Sequence, residues 1–229
     1  MLNFLKKINN YYTLNRLIRQ HILAHFGPFI KDNLYLKSEP YYQEIISVTK
    51  KYIQPNIKVL DIGCAAGRMV FEYSKMGASE SVGIDNIHER INICNDLYKE
   101  GHVYEYEIPK TSKNVYFEYS KLENFKNDGE KFDFISCLNV IDRVNDPQKV
   151  EEKIYGLLKQ GGKTIFTDPY DWEFSPASKN KYVDDMKKLF DPKKWKLLEE
   201  KRGISYTVPL TPIKDRTYPD CHLVVFEKI

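Results

Sequence analysis

Nothing in the 229 residues approaches the roughly 18 consecutive apolar positions that a membrane-spanning helix needs. The start, MLNFLKKINN, also lacks the apolar stretch and small-residue cleavage site of a secretory signal. The expectation from both absences is a soluble, cytoplasmic chain without a membrane partner. Cysteine is scarce, and Cys64, Cys94, Cys137 and Cys221 form no Cys-x-x-Cys pair. That argues against a zinc site, a disulfide scaffold or any metal held through thiolate. An excess of one charge is missing too: 35 basic and 32 acidic side chains leave +3, no strong pull toward nucleic acid.

What is present suits one α/β domain, or one with a short extension, since 42% apolar and 29% charged residues can bury a single core beneath a solvated surface. The charge is uneven. Residues 1–37 hold Lys6, Lys7, Arg16, Arg19, Lys31 and Lys37 against Asp32 alone, a local +5 that leaves −2 for the remainder. Aromatics are plentiful, with 17 Tyr and 12 Phe.

Apolar residues at Phe4, Ile8, Ile18, Ile22 and Phe26 recur near the helical period and predict one amphipathic helix or two short ones, stopped at Gly27-Pro28. A second helix is expected from about Ser38 to Tyr52, with Ser38 as N-cap and Pro40 in the first turn. From Ile57 onward, short β-rich runs alternate with amphipathic stretches. The strands are 57–62, 80–85, 114–119, 132–138 and 163–168; the helices lie near 67–76, 88–99 and 147–159, the last ended by Gly161-Gly162. Such alternation implies right-handed crossovers and a Rossmann-like, doubly wound, mostly parallel sheet. A helix around Pro192 to Arg202 and two closing strands, GISYTVP and CHLVVFEK, are expected to complete seven strands with an antiparallel C-terminal edge. Residues 1–40 then form an N-terminal helical cap on a domain of residues 41–229.

At Val59-Leu60-Asp61-Ile62-Gly63-Cys64-Ala65-Ala66-Gly67 the first strand enters a small-residue turn and then opens a helix. Gly63 and Gly67 lack the Cβ that would keep a ligand from the backbone. Asp85, 24 residues beyond Asp61 and at the end of the next strand, suits the hydroxyls of a ribose. Together with the Leu158 to Gly162 turn before the fifth strand, this set resembles the class I S-adenosylmethionine-dependent methyltransferases. The resemblance implies S-adenosylmethionine as cofactor, with Asp61, Gly63, Ala65 and Gly67 around its methionine portion and Asp85 and Asn86 at the ribose. An NAD-type Rossmann enzyme competes, but it would show Gly-x-Gly-x-x-Gly, whereas the third position here is Ala65. The chain departs from the family at the adenine, where an acidic residue is common and Lys121 stands instead; backbone at Lys121 and Leu122 is the substitute.

After the fourth strand comes Asn139-Val140-Ile141-Asp142-Arg143. Ligands of a doubly wound sheet bind outside the carboxyl ends of its strands, so this segment is expected at the transferable methyl group. If helical, the spacing puts Asn139 and Asp142 on one face. The plain alternative is that Asn139 caps a helix and Asp142 pairs with Arg143 or solvent. Asn-x-x-Asp-Arg is similar to the histidine-directed methyltransferases, among them the mercaptohistidine N-methyltransferase domain of ovothiol biosynthesis. His21 to Gly27, the stretch from Glu100-Gly101 to Asn114-Val115, and Asp168-Pro169-Tyr170-Asp171-Trp172 also resemble segments of that group.

That resemblance implies a small histidine-derived substrate, with Asn139 and Asp142 catalytic and Arg143, Tyr170, Trp172, Arg216 and Tyr218 holding the substrate. Asn139 is also expected to touch the cofactor. A carboxylate such as Asp142 can fix an imidazole tautomer by accepting the ring N–H, as an orienting acid does. Three plain readings stand beside these: Arg216 and Tyr218 as a solvated loop pair, Tyr170 and Trp172 as packing against the sheet, and His21 with His25 as structural or substrate-facing residues rather than metal ligands. The other acceptors considered are a protein histidine and RNA, motivated by the basic N-terminal segment, with nucleic acid the less favoured partner. A binding module without turnover is the third possibility. Oligomeric state is not legible.

Overall fold

The computed structural model describes residues 22, 25, 26, 39–103, 106–108, 114–127, 129, 131–211 and 214–229. In chain order these contain α1 (Glu39–Thr49), β1 (Lys58–Ile62), α2 (Arg68–Lys75), β2 (Glu80–Asp85) and α3 (His88–Glu100). A small ribbon of β3 (His102–Val103) and β4 (Tyr106–Glu107) follows, then β5 (Val115–Tyr119), β6 (Phe132–Leu138), α4 (Pro147–Leu157) and β7 (Leu158–Asp168). The long strands β8 (Trp195–Thr211) and β9 (Lys214–Lys228) close the chain.

The seven-stranded sheet runs β5-β2-β1-β6-β7-β9-β8, parallel from β5 to β7 and antiparallel at both β9 pairings. Strand pleating explains how one sheet supports two cores, because successive side chains point to opposite faces. Leu60, Ile62, Ile135, Cys137, Val224 and Phe226 face one layer with Val150 and Ile154 of α4. Val59, Phe134, Ile165, Leu223 and Val225 face the other, against Tyr41 and Ile45 of α1 and Met69 and Tyr73 of α2. Burying each such aliphatic side chain contributes about 1.5–3 kcal/mol before the entropy of ordering it is counted. The expected doubly wound sheet with an antiparallel edge is therefore present.

Local expectations differ from the structure in three places. The helix expected at 147–159 ends at Leu157, and β7 starts at Leu158. There the β6 to β7 pairing is irregular between Phe132 and Phe134, and Gly161 takes a φ of +73°. The helix expected from Pro192 to Arg202 does not form. Its Lys- and Glu-rich residues favour a helix locally, yet they pair with β9 as the sheet's edge, where charged side chains are well suited. Finally, Asn139 and Asp142 share no helix: Asn139 has a φ of +54°, and only Ile141–Arg143 coil into a short 3-10 turn.

Of the N-terminal cap, Ile22, His25 and Phe26 are helical, with Ile22 and Phe26 buried against Phe71 and Tyr106. The other cap residues up to 38, with His21, Gly27 and Ser38, lie outside the described residues. Among the described residues no helix is long and apolar enough to cross a membrane.

Candidate active site

A cleft of about 620 Å³ opens at the carboxyl ends of β1, β2, β6 and β7, a size typical of small-molecule sites. At one end lies the turn after β1. Gly63, Ala65 and Gly67 all adopt left-handed backbone, with φ of +72°, +49° and +79°. The Gly63 and Cys64 N–H groups both donate to the Ile84 carbonyl, and the Gly67 N–H donates to the Cys64 carbonyl. Gly63 and Ala65 line the cleft, but Gly67 does not. Its role is packing: a Cβ there would lie 2.9 Å from the Phe117 ring. A Cβ on Gly63 would similarly come within 2.6 Å of Val140, so the close approach it permits is to the neighbouring loop. Ala65, like Asn139, is a non-glycine held in left-handed backbone that lines the cleft.

Two carboxylates border this turn. Asp85 accepts from the Ala65 N–H at 3.1 Å and the Ile87 N–H at 2.9 Å, with Arg90 3.1 Å away. A carboxylate has about four acceptor sites, and Arg90 also reaches Oδ1 at 3.4 Å, so a ribose hydroxyl would share or displace the Arg90 contacts. Asp61 is buried and accepts from the Ser136 hydroxyl at 2.6 Å. Burial pushes its pKa up to about 7; the Ser136 bond opposes the shift and the Asp85 charge adds to it. Asn86, Lys121, Leu122 and Glu123 line the same end. The Lys121 carbonyl already accepts from the Asn124 and Phe125 N–H groups and the Ser120 hydroxyl, so it is not a spare acceptor for an adenine. The left-handed turn, the Asp85 carboxylate lining the cleft and the cleft size together fit a nucleoside-bearing cofactor.

The other end is built from side chains of four separate segments. Asn139, Asp142 and Arg143 follow β6; Asp171 follows β7; Tyr206, Val208, Arg216 and Tyr218 descend from the β8–β9 hairpin; His25, Tyr41 and Tyr42 come from the N-terminal side. The hairpin register explains the overhang, since Tyr206 pairs with Tyr218 and Val208 with Arg216. Asp171 is its electrostatic hub, accepting from Arg143 at 2.9 Å, Tyr218 at 2.8 Å and Arg216 at 3.2 Å. Burial alone would raise the Asp171 pKa, yet the Arg143 and Tyr218 hydrogen bonds and the two guanidinium charges hold it below the usual carboxylate range. Arg216 also binds Glu173, so it reaches the cleft as an ion-paired group.

Asp142 is 1% exposed. Its Oδ2 accepts from the Asp171 N–H at 3.1 Å, whereas its Oδ1, also buried, has Arg143 at 3.4 Å as an ion-pair neighbour and no hydrogen-bond partner among the described residues. A buried carboxylate oxygen without a hydrogen bond is costly, and here the Arg143 charge offsets part of that cost. Burial raises the Asp142 pKa to about 6, with Arg143 opposing and Asp171 adding.

Tyr170 and Trp172, expected against the substrate, do not line the cleft. Pro169 turns the chain so that the Tyr170 hydroxyl meets His222 Nδ1 at 2.6 Å and the Met186 N–H at 2.7 Å. Trp172 stacks on Tyr182, centroids 4.5 Å apart, and donates to the Val183 carbonyl. Conversely, Tyr41, Tyr42, Tyr206, Arg90 and Asp171 line the cleft without having been singled out. The tyrosine excess was the one sequence signal for the three tyrosines, and Asp171 lay within the Asp168 to Trp172 segment. Away from the cleft, Asp185, Glu200 and His222 bring ligand-type atoms within 4.8 Å of one another, but Lys187 and Arg202 already neutralise the two acids.

A protein-family profile described as "Methyltransferase domain" matches residues 53–203. The ubiquinone biosynthesis O-methyltransferase of Coxiella burnetii is 28% identical over 125 residues, which cover 52% of this chain and 49% of the relative. The chain thus spans about half the length of that relative. The structure of the N-methyltransferase NodS from Bradyrhizobium japonicum in complex with S-adenosyl-L-homocysteine superposes with a TM-score of 0.60 at 14% identity, over 91% of this chain and 98% of that one. Magnesium protoporphyrin IX methyltransferase of Synechocystis, with bound SAM, gives 0.60 at 13% identity over 98% and 96%. These two likenesses concern the fold.

Proposed function

The chain belongs to the methyltransferase-domain family, and on that premise we propose that it is an S-adenosylmethionine-dependent methyltransferase that N-methylates a small, imidazole-bearing, histidine-derived substrate. When bound, the cofactor supplies an electrophilic methyl group on a sulfonium. Asp85 and Asn86 would hold its ribose, while Asp61, Gly63 and Ala65 would flank its methionine portion. The acceptor is the finer part of the reading. It rests on one observation above all: Asp142 lines the cleft, and its buried Oδ1, with the Arg143 guanidinium 3.4 Å away, has no hydrogen-bond partner among the described residues.

A neutral imidazole has one ring N–H and one lone pair, and it already carries that lone pair near pH 7. Asp142 accepting the N–H selects the tautomer whose other nitrogen faces the methyl group. That nitrogen would then present its lone pair in line to the methyl group the cofactor supplies, and the ring held by Asp142 would become a cation. An ionised Asp142 beside the ring stabilises that charge as it develops. Alignment of nucleophile and methyl carbon supplies much of the rate in such displacements. The tyrosines Tyr41, Tyr42, Tyr206 and Tyr218 wall this end with flat faces suited to a ring that becomes cationic.

The test is transfer of a labelled methyl group to histidine and to a sulfur-substituted histidine, with product mass and position determined. Methylation on a ring nitrogen that disappears in Asp142→Asn, while S-adenosylhomocysteine still binds, is the expected result. Turnover retained in that variant removes the role assigned to Asp142.

A further inference from the structure

Behind Asn139 stands a short chain of buried hydroxyls. Tyr41, from α1, is almost completely buried, and its Oη lies 2.5 Å from Oγ1 of Thr167 on β7. Thr167, also fully buried, has its Oγ1 3.1 Å from Oδ1 of Asn139. A third link fixes the backbone: the Asn139 N–H donates to the Thr167 carbonyl at 2.7 Å, while Asn139 sits at a φ of +54°. Asn139 is therefore held from two directions by one residue of the neighbouring strand.

Proton accounting gives this chain a direction. An amide oxygen can only accept, so Thr167 must donate its single hydroxyl proton to Asn139 Oδ1. Thr167 Oγ1 then accepts, and Tyr41 donates to it. With the amide reversed, Asn139 would donate to Thr167, whose two lone pairs can also accept from Tyr41, and either the Thr167 or the Tyr41 proton would then lose its acceptor in this chain in a buried place. Tyr41 has no other hydrogen-bond partner among the described residues, so that arrangement strands a donor. Burial strongly favours the protonated phenol, which keeps Tyr41 able to donate. With Oδ1 occupied, the NH2 group is the free end of the Asn139 amide; Asn139 and Tyr206 both line the cleft, and the Tyr206 ring packs 4.5 Å from that of Tyr41.

We propose that Tyr41 and Thr167 are positioning residues that lock the Asn139 amide with its NH2 toward the cleft, so that Asn139 acts there as a donor and the ligand group opposite it carries lone pairs, as a carboxylate does. The consequence is a polarity code within one turn. Asn139 offers a donor and Asp142, three residues on, offers an acceptor. A molecule with a ring N–H and a carboxylate satisfies both, which deepens the proposed function and, for the identity of the ligand, rests on it.

The direct test does not need turnover. In protein carrying 15N-asparagine, the Asn139 side-chain NH2 signals are identified by their loss in Asn139→Asp, then followed during addition of S-adenosylhomocysteine and afterwards of histidine. The expected result is a shift of those signals by one of the two probes, abolished in Thr167→Val, reduced in Tyr41→Phe and preserved in Thr167→Ser. Signals that ignore both probes in the wild type, or that respond unchanged in Thr167→Val, overturn the proposal. A kinetic arm uses whichever acceptor the wild type methylates. Thr167→Val is expected to lower kcat/KM about tenfold, the scale of one lost hydrogen bond, with Thr167→Ser restoring it and Tyr41→Phe adding nothing in the Thr167→Val background. Additive losses there count against a shared chain. Absence of methyl transfer to histidine, with the amide signals behaving as described, would instead overturn only the imidazole reading.

Discussion

The two ends of the cleft are built by opposite means. The cofactor end is a seven-residue stretch, Asp61 to Gly67, plus Asp85, and its shape comes from backbone in left-handed turns. The acceptor end gathers Asn139, Asp142, Asp171, Tyr206 and Tyr218 from segments up to 79 residues apart, and its shape comes from side chains that hold one another. Local construction makes the first end readable as a motif. Assembly makes the second specific, since each member can vary separately.

The comparison predicts that damage at the two ends separates into binding and turnover. The largest effect is expected from Asp142→Asn, which should lower methyl transfer on the order of 10²–10⁴-fold while leaving S-adenosylhomocysteine affinity within about twofold by calorimetry. Equal losses in both quantities would erase the distinction between the ends. Asp85→Ala should do the converse. Cofactor affinity is expected to weaken about 10–100-fold, the worth of hydrogen bonds to a charged group, with kcat at saturating cofactor little changed.

Gly67→Ala probes whether the cofactor end depends on backbone. It imposes a side chain at a φ of +79° and 2.9 Å from Phe117, so stability should fall by about 1–3 kcal/mol, read as a lower Tm. A variant as stable as the parent would show that the turn tolerates a Cβ and that its geometry is not the controlling feature.

The two ends should also titrate separately. Asp61 has a folded pKa raised to about 7 by burial, so its proton stabilises the free protein; stability should decline as pH rises from about 4 to about 7, where the charge must be buried. S-adenosylmethionine, being cationic, should bind more tightly as pH rises through the same point, and Asp61→Asn should flatten both trends. At the other end, Asp142 near 6 should impose the acid limb of kcat, which rises as the carboxylate ionises. The smallest effect on activity is expected from Trp172→Ala. Its ring stacks on Tyr182 outside the cleft, so Tm should drop while kcat/KM changes less than about threefold. A large kinetic defect there would extend the acceptor end beyond the cleft described.

Legibility followed the same division. The parallel strands were readable because each is a short apolar run between turn signals, and β2 and β6 begin and end where the pattern places them. Asp61, Gly63, Ala65 and Asp85, which line the cleft, were legible as a group because each carboxylate closes a strand and the first is followed at once by the turn. Gly67 was found as well, but its reason is the Phe117 ring, a contact 50 residues away. Trp195 to Arg202 was misread as a helix because its charged residues have helical preference, and only pairing with β9 makes the segment a strand. Tyr170 was placed in the pocket by its neighbourhood in sequence; its partner His222, 52 residues on, draws the hydroxyl away.

By itself the sequence determined the layered α/β architecture, the β1–α2 turn and the carboxylates that border it, because strand periodicity and turn chemistry act over a few residues. Tertiary structure alone decided that Asp171 joins Arg143, Arg216 and Tyr218, that Tyr41, Thr167 and Asn139 meet in one line of hydrogen bonds, and that one oxygen of Asp142 is buried with no hydrogen-bond partner among the described residues. Hydrogen-bond direction and burial depend on which distant segments meet, and those meetings are set by the order in which the strands pack.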